Sequence, residues 1–346
     1  MKSEKQNRET SREEKKKRRS KRRRRSDLTP WDVIVNDDDI CFRHILPSLH
    51  RNDVKFLFGV NSETRALIKR AAPLELRKMF AIEEMSSISS VEFAWENRSL
   101  WPIWWDERQF CRKVARTNKL ELLEWAREEK KCDWDERTFS AAAERGNLEM
   151  IKYCVANGCP VNELACARAA ENGHLECLKY LHEDVKAPWD KETATEAASN
   201  GHLHILEYLV ERKFDKYSAG SCKWATANGH LNCLKYLHEE VKAPWDCETA
   251  SFAAANGHLH IFEYLVEREY DKYTELACSC AAEKGHLECL KYLHEVAKAP
   301  WDCEAVQMAR EYNHSECLQY LLDNDCPLPD GWRYESGTLH VPQQDA

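Results

Sequence analysis

The sequence predicts an all-α protein, a solenoid of stacked helix-turn-helix repeats, and a recurring segment carries that prediction. The segment Gly173–Glu183, GHLECLKYLHE, returns almost unchanged from Gly229 and from Gly285. Looser copies start at five further positions: Asn118, Gly146, Gly201, Gly257 and Asn313. Successive copies begin 28 residues apart, except for one step of 27. A fixed period in this range is typical of stacked supersecondary units that share one continuous core.

The first helix of each unit is predicted to pack closely against its neighbours. The residue four positions before the Gly or Asn is small or β-branched in all eight copies: Val114, Ala142, Ala169, Ala197, Ala225, Ala253, Ala281 and Ala309. A larger side chain in such a contact would be destabilising through overpacking. The Gly that follows is expected to end the helix in the left-handed conformation, which is most accessible to Gly.

The second helix begins directly after the Gly, and Leu175, Cys177, Leu178 and Leu181 form its apolar stripe. A residue suited to an N-cap follows 17 positions after the Gly, or 16 in the shorter copy: Asp135, Asn162, Asp190, Ser218, Asp246, Thr274 and Asp302. Each is expected to accept a hydrogen bond from the first turn of the next helix, contributing about 1 kcal/mol. Each unit is therefore a helix, a Gly turn, a second helix and a short loop.

The pattern AAxNGHLxCLKYL resembles the second half of an ankyrin repeat, whose motif runs A-A-x-x-G-H-x-x-V/I-V/L-x-x-L-L. The resemblance extends over residues 89–330, and it implies an ankyrin-like α-solenoid of about eight repeats that recognises other proteins. Two features depart from the family. The period is 28 residues rather than about 33, and segments such as Asp246–Ala250 replace the T-P-L-H tetrapeptide. The protruding β-hairpin of the family is therefore expected to be shortened to a tight loop.

A longer period of two repeats is also visible. Residues 173–228 and 229–284 agree at about two-thirds of their positions, which indicates duplication of a two-repeat block. Alternate repeats carry the sequence Lys-Ala-Pro-Trp, at Lys186–Trp189, Lys242–Trp245 and Lys298–Trp301. Their tryptophans precede the N-caps. They are interpreted mainly as residues that fix the start of the next helix, with enough exposure to contribute to binding.

The charge of the chain is divided. Residues 1–25 contain 14 of the 51 Lys and Arg but only 4 of the 59 Asp and Glu, so the remainder carries a net charge of −18. An acidic repeat array would repel a phosphate backbone, so nucleic-acid binding is expected at most non-specifically, through residues 1–25. The N-terminus has no apolar run and no stretch approaches transmembrane length, which predicts an intracellular protein, nuclear or cytoplasmic, with free thiols.

The N-terminal part divides into two predicted segments. Residues 1–26 are expected to be a disordered basic tail, which either binds a nuclear import receptor or is a solvated tail. The import signal would consist of Lys15, Lys16, Lys17, Arg18, Arg19, Lys21, Arg22, Arg23, Arg24 and Arg25. Residues 37–72 resemble an F-box, a small helical module that docks on the adaptor of a cullin-type ubiquitin ligase. The matching apolar residues are Ile45, Leu46, Leu49, Val54 and Leu57. The alternative is a helical cap on the end of the repeat array.

The repeat array is predicted to span residues 86–332, with a divergent first repeat at Ser86–Trp105 and a loose tail at 333–346. Trp95, Trp101, Trp104 and Trp105 are crowded into that first repeat. Such a cluster either is buried or, if exposed, forms a partner hot spot; burial is the favoured interpretation.

The recurring His-x-x-Cys pair, as in His174 and Cys177, suggests zinc at first sight. Each repeat offers only two ligands, however, and zinc needs four. The Cys position also holds Leu122, Met150, Ile205 and Ile261 in other copies, which is typical of a small core site. The resemblance implies that the histidines bond to the backbone between repeats. No catalytic motif is present, so neither enzymatic activity nor a cofactor is predicted.

The predicted function is therefore non-enzymatic recognition of a protein partner, on the concave face of the array or on its loop edge. The alternative is that the same array presents a substrate to a cullin-type ubiquitin ligase through the F-box-like segment. The residues proposed to contact a partner are the loop tryptophans and positions that differ between repeats: Trp189, Lys191, Glu196, Trp245, Phe252 and Trp301. Lys223 and its equivalent Ser279 belong to the same variable set.

Overall fold

The computed structural model describes residues 80–342. The predicted basic tail at 1–26 and the F-box-like segment at 37–72 therefore lie outside the described residues. The chain divides into two compact units, one ending at Asp106 and one beginning at Glu107. Each is described by itself.

The described part of the first unit contains one α-helix, α1 (Ile88–Glu96), between two short 3₁₀ turns at Ile82–Glu84 and Arg98–Leu100. Ser87 and Ser90 form a capping box at its start, in which each side chain bonds to the other residue's backbone. Val91 and Ala94 are fully buried.

The four clustered tryptophans differ in exposure. Trp95 and Trp105 are buried, whereas Trp104 is 63% exposed. The rings of Trp95 and Trp105 each lie 6.0 Å from the half-buried ring of Trp101, in edge contacts. Burial is thus confirmed for two members of the cluster and wrong for Trp104.

The second unit is a two-layered stack of eight helix pairs. The first helices of the pairs are α2 (Glu107–Ala115), α4 (Glu136–Glu144), α6 (Glu163–Glu171), α8 (Lys191–Ser199), α10 (Ala219–Ala227), α12 (Cys247–Ala255), α14 (Glu275–Lys284) and α16 (Cys303–Glu311). The second helices are α3 (Leu120–Glu128), α5 (Leu148–Ala156), α7 (Leu175–Glu183), α9 (Leu203–Glu211), α11 (Leu231–Tyr236), α13 (Leu259–Glu267), α15 (Leu287–Glu295) and α17 (Ser315–Asp323). The helix α11 continues as a π-helical stretch at Leu237–Val241. Each first helix packs against the first helix of the next pair, and second helices also contact one another, as α5 does with α7 and α13 with α15. The all-α solenoid of stacked helix-turn-helix repeats is confirmed.

The small-residue column lies where the sequence predicts, between neighbouring first helices. All eight residues, from Val114 to Ala309, have no exposed surface. The turns behind them are left-handed, with φ between 66° and 76° at the six Gly positions. Asn118 and Asn313, which replace Gly in the first and last pairs, adopt φ of 63° and 61°. Asn is the side chain that best tolerates this conformation.

The helix starts follow the predicted caps, but the caps alternate in chemistry. Asp135, Asp190, Asp246 and Asp302 accept hydrogen bonds from the backbone N–H two residues later, each at 3.1 Å. Asn162, Ser218 and Thr274 occupy the N-cap position with extended backbone, but their side chains accept no such bond. The prediction that all seven side chains act as caps is therefore wrong for these three.

The loops between pairs alternate in the same way. After α3, α7, α11 and α15 the left-handed residue is a lysine 13 positions past the Gly position: Lys131, Lys186, Lys242 and Lys298. After α5, α9, α13 and α17 it lies one position earlier: Gly158, Lys213, Glu269 and Asp325. Within residues 107–332 these loops contain no strand, as the missing T-P-L-H motif predicts. The alternating position of the left-handed residue gives the two-repeat block a structural basis.

Residues 333–340 form a hairpin, although the sequence predicts a loose tail from 333. Strands β1 (Arg333–Glu335) and β2 (Thr338–His340) form an antiparallel hairpin around Ser336 and Gly337, whose φ values are 53° and 77°. Positive φ at both central residues is typical of the tightest hairpin turns. The hydroxyl of Tyr334 bonds to Gln319 and Asp323, so the hairpin is attached to α17.

Candidate functional site

The exposed side of the first-helix layer, here called the first-helix face, is the more variable of two candidate surfaces. Its central column is the position five residues before each Gly or Asn. From α2 to α16 the column reads Lys113, Ala141, Arg168, Glu196, Trp224, Phe252, Cys280 and Met308. The next residue in every helix belongs to the buried small-residue column. The face therefore changes its chemistry from repeat to repeat while the packing beneath it stays constant.

The N-terminal half of this face carries charges in close ion pairs. A guanidinium nitrogen of Arg116, just past the end of α2, lies 2.8 Å from the Glu144 carboxylate in α4, and Arg168 pairs with Glu171 within α6. Burial, and then the neighbouring Arg116, lowers the pKa of Arg112. Burial, reinforced by the Glu171 carboxylate, raises the pKa of Glu196. These shifts indicate charges that are crowded together and partly removed from water.

The C-terminal half of the face is apolar at the same column. Trp224 is 43% exposed, and its ring centroid lies 5.7 Å from that of Phe252 in the next first helix. The Lys223 ammonium lies 5.2 Å from the Phe252 centroid and 2.8 Å from the Glu248 carboxylate. Cys280 and Met308 continue the column and are half-buried.

The second candidate surface is a series of aromatic clusters at the loops that carry tryptophan. In each, the loop tryptophan stacks on the histidine that precedes it, with centroids 3.6–3.8 Å apart: His182 with Trp189, His238 with Trp245, and His294 with Trp301. A tyrosine of the following second helix, Tyr208, Tyr264 or Tyr320, meets both rings edge-on. Each cluster thus joins two neighbouring helix pairs.

Polar groups complete the clusters. The tyrosine hydroxyls donate hydrogen bonds to Glu183, Glu239 and Glu295 at 2.8–3.1 Å. Arg212 and Arg268 pair with the first two of these carboxylates at 2.6 Å. Burial, and then the positive charge of the neighbouring loop lysine, lowers the pKa of His182, His238 and His294. Both effects favour the neutral imidazole over the protonated one in each stack.

The first cluster of the series has an arginine where the others have histidine. The Arg127 guanidinium lies 4.0 Å from the Trp134 ring centroid, and Tyr153 meets the same ring edge-on at 6.1 Å. The Tyr153 hydroxyl bonds to Glu128 at 3.3 Å, as its counterparts do in the other clusters. The same architecture is thus built once with a permanent cation and three times with a titratable ring.

The structure places the predicted partner-contact residues on these two surfaces. Trp189, Trp245 and Trp301 are half-buried, and each belongs to its own cluster rather than to one continuous aromatic strip. Lys191 is exposed at the start of α8, and Glu196 and Phe252 are half-buried on the first-helix face. The position of Lys223 and Ser279 is less open than expected, because Ser279 is buried and its hydroxyl donates to the Glu275 carbonyl.

Sequence reasoning missed Trp224, Cys280 and Met308 as members of the face. The signal lay in the column itself, because charged residues occupy it in three of the first four repeats and none occupies it from α10 to the last repeat. Comparing repeats in pairs, as in Glu196 with Phe252, shows only part of that trend.

The recurring cysteines and histidines have structural positions. Cys177, Cys233, Cys289 and Cys317 are buried, and burial raises the pKa of each thiol to about 11. Nε2 of His174, His202 and His258 lies 3.0–3.2 Å from a backbone carbonyl of the preceding pair. Both interpretations, the core cysteine and the histidine that bonds between repeats, are confirmed for these residues.

The described residues contain neither a metal-binding group nor a membrane span. Between residues 80 and 342, no three His, Cys, Asp or Glu side chains are grouped so as to hold a metal ion. In the same range no helix has both the length and the apolar character needed to cross a bilayer.

The chain was compared with curated protein sequences and with solved structures. No curated protein sequence matches the chain. Among solved structures, the pentatricopeptide repeat protein PPR10 in complex with an 18-nt psaJ RNA element matches at 11% identity with a TM-score of 0.42, covering 87% of this chain and 52% of that one. The crystal structure of PPR10 from maize matches at 12% identity with a TM-score of 0.31, covering 82% and 50%. The chain spans about half the length of these proteins, and with TM-scores below 0.5 neither match bears on function.

The family model described as ankyrin repeats (3 copies) matches the repeat array directly. It aligns in four overlapping positions, at residues 138–219, 197–275, 223–302 and 250–330, which together cover more than half of the chain. Two features of the structure agree with this match: the left-handed Gly turn, and the histidine that bonds to the preceding pair. The chain therefore belongs to the ankyrin-repeat family.

Proposed function

We propose that the chain is a non-enzymatic scaffold that binds a protein partner through the first-helix face, with the aromatic clusters as a secondary contact. Ankyrin repeats are protein-interaction domains. The main support for the proposal is the contrast between the buried small-residue column and the variable column one residue before it. Stacking requires the buried small residues, but it does not require the varied residues beside them, which include half-exposed rings and crowded charges.

The variety of the face supports recognition of a specific partner. Aromatic and arginine side chains at the centre of a surface are the usual carriers of binding energy. Trp224, Phe252 and Arg168 supply these residue types in one column. Crowded charges such as Arg116 and Glu144 favour a partner of complementary charge and disfavour others.

Quantitative affinity purification of the full chain tests the proposal. The test variant combines Glu196→Lys with Phe252→Ser on the face. The control combines Val210→Ser with Val296→Ser, which removes two apolar side chains that are 36% and 50% exposed away from the face. We expect a partner whose recovery falls with the face variant and persists with the control. A partner set that is identical for both variants would contradict binding through this face.

The same purification addresses the F-box-like segment. Recovery of a cullin adaptor, lost when Leu46 and Leu57 are changed to Asp, would make the chain a ligase substrate receptor. In that case the first-helix face would bind the substrate. Purification without an adaptor leaves the scaffold as the function.

A further inference from the structure

The apolar half of the first-helix face has a feature that stacking does not explain. Trp224, Phe252, Cys280 and Met308, here called the apolar stripe, occupy one column on four consecutive first helices. Earlier repeats hold Ala141, Arg168 or Glu196 in that column, so the stack forms without a large apolar side chain there. Leu276 and Tyr312, which are 48% and 49% exposed, extend the stripe on α14 and just past α16. Contiguous exposed apolar residues of this kind mark interaction sites, whereas scattered ones do not.

Gly220 contributes no side chain to the surface beside the stripe. It lies one turn before Trp224 in α10, and its φ is not in the left-handed range. A Gly inside a helix is about 1 kcal/mol less favourable than Ala. A Cβ at this position would meet only side-chain hydroxyl oxygens, Ser218 Oγ at 3.2 Å and Thr195 Oγ1 at 3.9 Å. The backbone conformation therefore does not demand Gly here, although a Cβ would require the Ser218 hydroxyl to move, and the missing side chain leaves room for a bound segment beside Trp224.

The rim of the stripe is acidic. Glu248, Glu275, Glu304 and Glu311 are exposed on α12, α14 and α16. Of the basic residues beside them, Lys223 bonds to Glu248 at 2.8 Å and Lys284 to Glu283 at 2.7 Å, while the Arg310 guanidinium lies 4.9 Å from the Trp332 ring centroid. The carboxylates outnumber the ammonium groups along this half of the face. A binding segment must therefore bring cations as well as apolar side chains.

We propose that the apolar stripe is the docking site of a partner segment in which aliphatic or aromatic anchors are flanked by Lys or Arg. This inference rests on the proposed function and specifies its ligand. A second copy of the chain fits poorly, because a symmetric contact would place the acidic rim against itself. The chain's own residues 1–25 are basic, but they contain no apolar residue apart from Met1, so they match the rim without filling the stripe.

A peptide selection tests the proposal with the full chain. The probe is a displayed library of random 16-residue peptides, selected on the full chain and counter-selected on a Trp224→Glu variant. Peptides that survive are synthesised, and their Kd is measured by fluorescence anisotropy against Trp224→Ala, Phe252→Ala and Val296→Ala. We expect a consensus with one or two large apolar residues between Lys or Arg. Its Kd should be at least about tenfold weaker for the two stripe variants and unchanged for the Val296 control.

Charge variants and a folding control complete the design. Glu248→Gln combined with Glu304→Gln should weaken binding by about threefold or more at low salt, and less at high salt. Circular dichroism melting of each variant confirms that the array remains folded, which the 43% exposure of Trp224 favours.

The contrary outcomes are distinct. A consensus without basic residues overturns the inference, yet leaves protein binding through the face intact. Equal affinity of the Trp224→Ala and Val296→Ala variants shows that peptides bind elsewhere, and failure to select any peptide also overturns the inference. A dimer in light scattering that Trp224→Ala dissociates assigns the stripe to a second copy. Binding that appears only when the basic residues of 1–25 are replaced by Ser assigns it to the chain's own tail.

Discussion

Two columns of residues run side by side along the first helices, and they differ in almost every respect. The buried column holds Val114 and then Ala in every later repeat, with no exposed surface at any position. The column one residue earlier holds eight different residue types. The two are adjacent in sequence but separated by the turn of about 100° per residue in a helix. One therefore faces the neighbouring helices, and the other lies on the outer side of the layer, where all its members except Ala141 keep exposed surface. The constant column is the one that packs between helices, and the variable column is the one on the outer surface of the array.

The largest effect is expected where the buried column is disrupted. Ala253→Trp inserts an indole between α12 and its neighbouring first helices, at a site with no exposed surface. Overpacking of this size should lower the free energy of unfolding by more than about 3 kcal/mol. Urea unfolding monitored by circular dichroism measures the loss. The control is Phe252→Trp, one residue away on the face, and an equal loss for both variants would contradict the assignment of the columns.

The Gly residues that end the first helices form a third column, whose role in stability can be tested in the same way. Gly257 has φ of 72°, and a Cβ there would lie 2.8 Å from Nδ1 of His286 in the next pair. Gly257→Ala therefore combines left-handed strain with displacement of that ring, and we expect a loss of about 2 to 3 kcal/mol. Gly158 has nearly the same φ of 71° with nothing within 4 Å, so Gly158→Ala isolates the strain, about 1 kcal/mol. Equal losses would show that the contact with His286 contributes nothing.

Removing a loop tryptophan should cost less than filling the buried column. Trp245→Ala deletes the ring that stacks on His238 and meets Tyr264, but the site is half-buried and open to water. We expect a loss of about 2 kcal/mol, below that of Ala253→Trp, in the same urea experiment. A larger loss for Trp245→Ala would mean that the clusters, rather than the small-residue column, hold the stack together.

The titratable clusters should make stability depend on pH. The folded-state pKa of His238 is lowered, so the unfolded chain takes up its proton first as the pH falls below about 6.5. Stability due to neutral His238 is complete above that pH and decreases below it. His238→Gln should cost about 1 kcal/mol at pH 7.5 and less at pH 5. Arg127→Gln, in the cluster built with arginine, serves as the control, since its cost should not change with pH.

Much of the fold could be predicted because the same local sequence features recur in all eight repeats. The Gly turn, the small residue before it and the acidic caps are local features, and Asp190 or Gly173 requires no knowledge of distant residues. The final hairpin was missed although Ser336 and Gly337 separate two short runs that could pair. Its strands are only three residues long, and the contact of Tyr334 with α17 that fixes them is not visible in sequence.

The candidate surfaces were harder to predict for a physical reason. His182 and Trp189 stack only because the intervening loop turns at the left-handed Lys186, and nothing in the residue types requires that geometry. Trp224 was hard to place for a different reason: a single aromatic residue in a helix usually lies in the core, so its sequence gives no sign of exposure. Only its position beside the buried Ala225, together with its exposure, places it on the face.

The smallest stability effect, and the sharpest test of the comparison, is expected on the face itself. Phe252→Ser removes a half-buried ring at a position where other repeats hold Glu196 or Arg168, so the free energy of unfolding should change by less than about 1 kcal/mol. Partner recovery should nevertheless fall, because binding energy concentrates in such aromatic contacts. Melting temperature and affinity purification are measured on the same protein preparation. A large stability loss would mean that this column belongs to the core after all. Unchanged stability with unchanged recovery would mean that its variation carries no binding function.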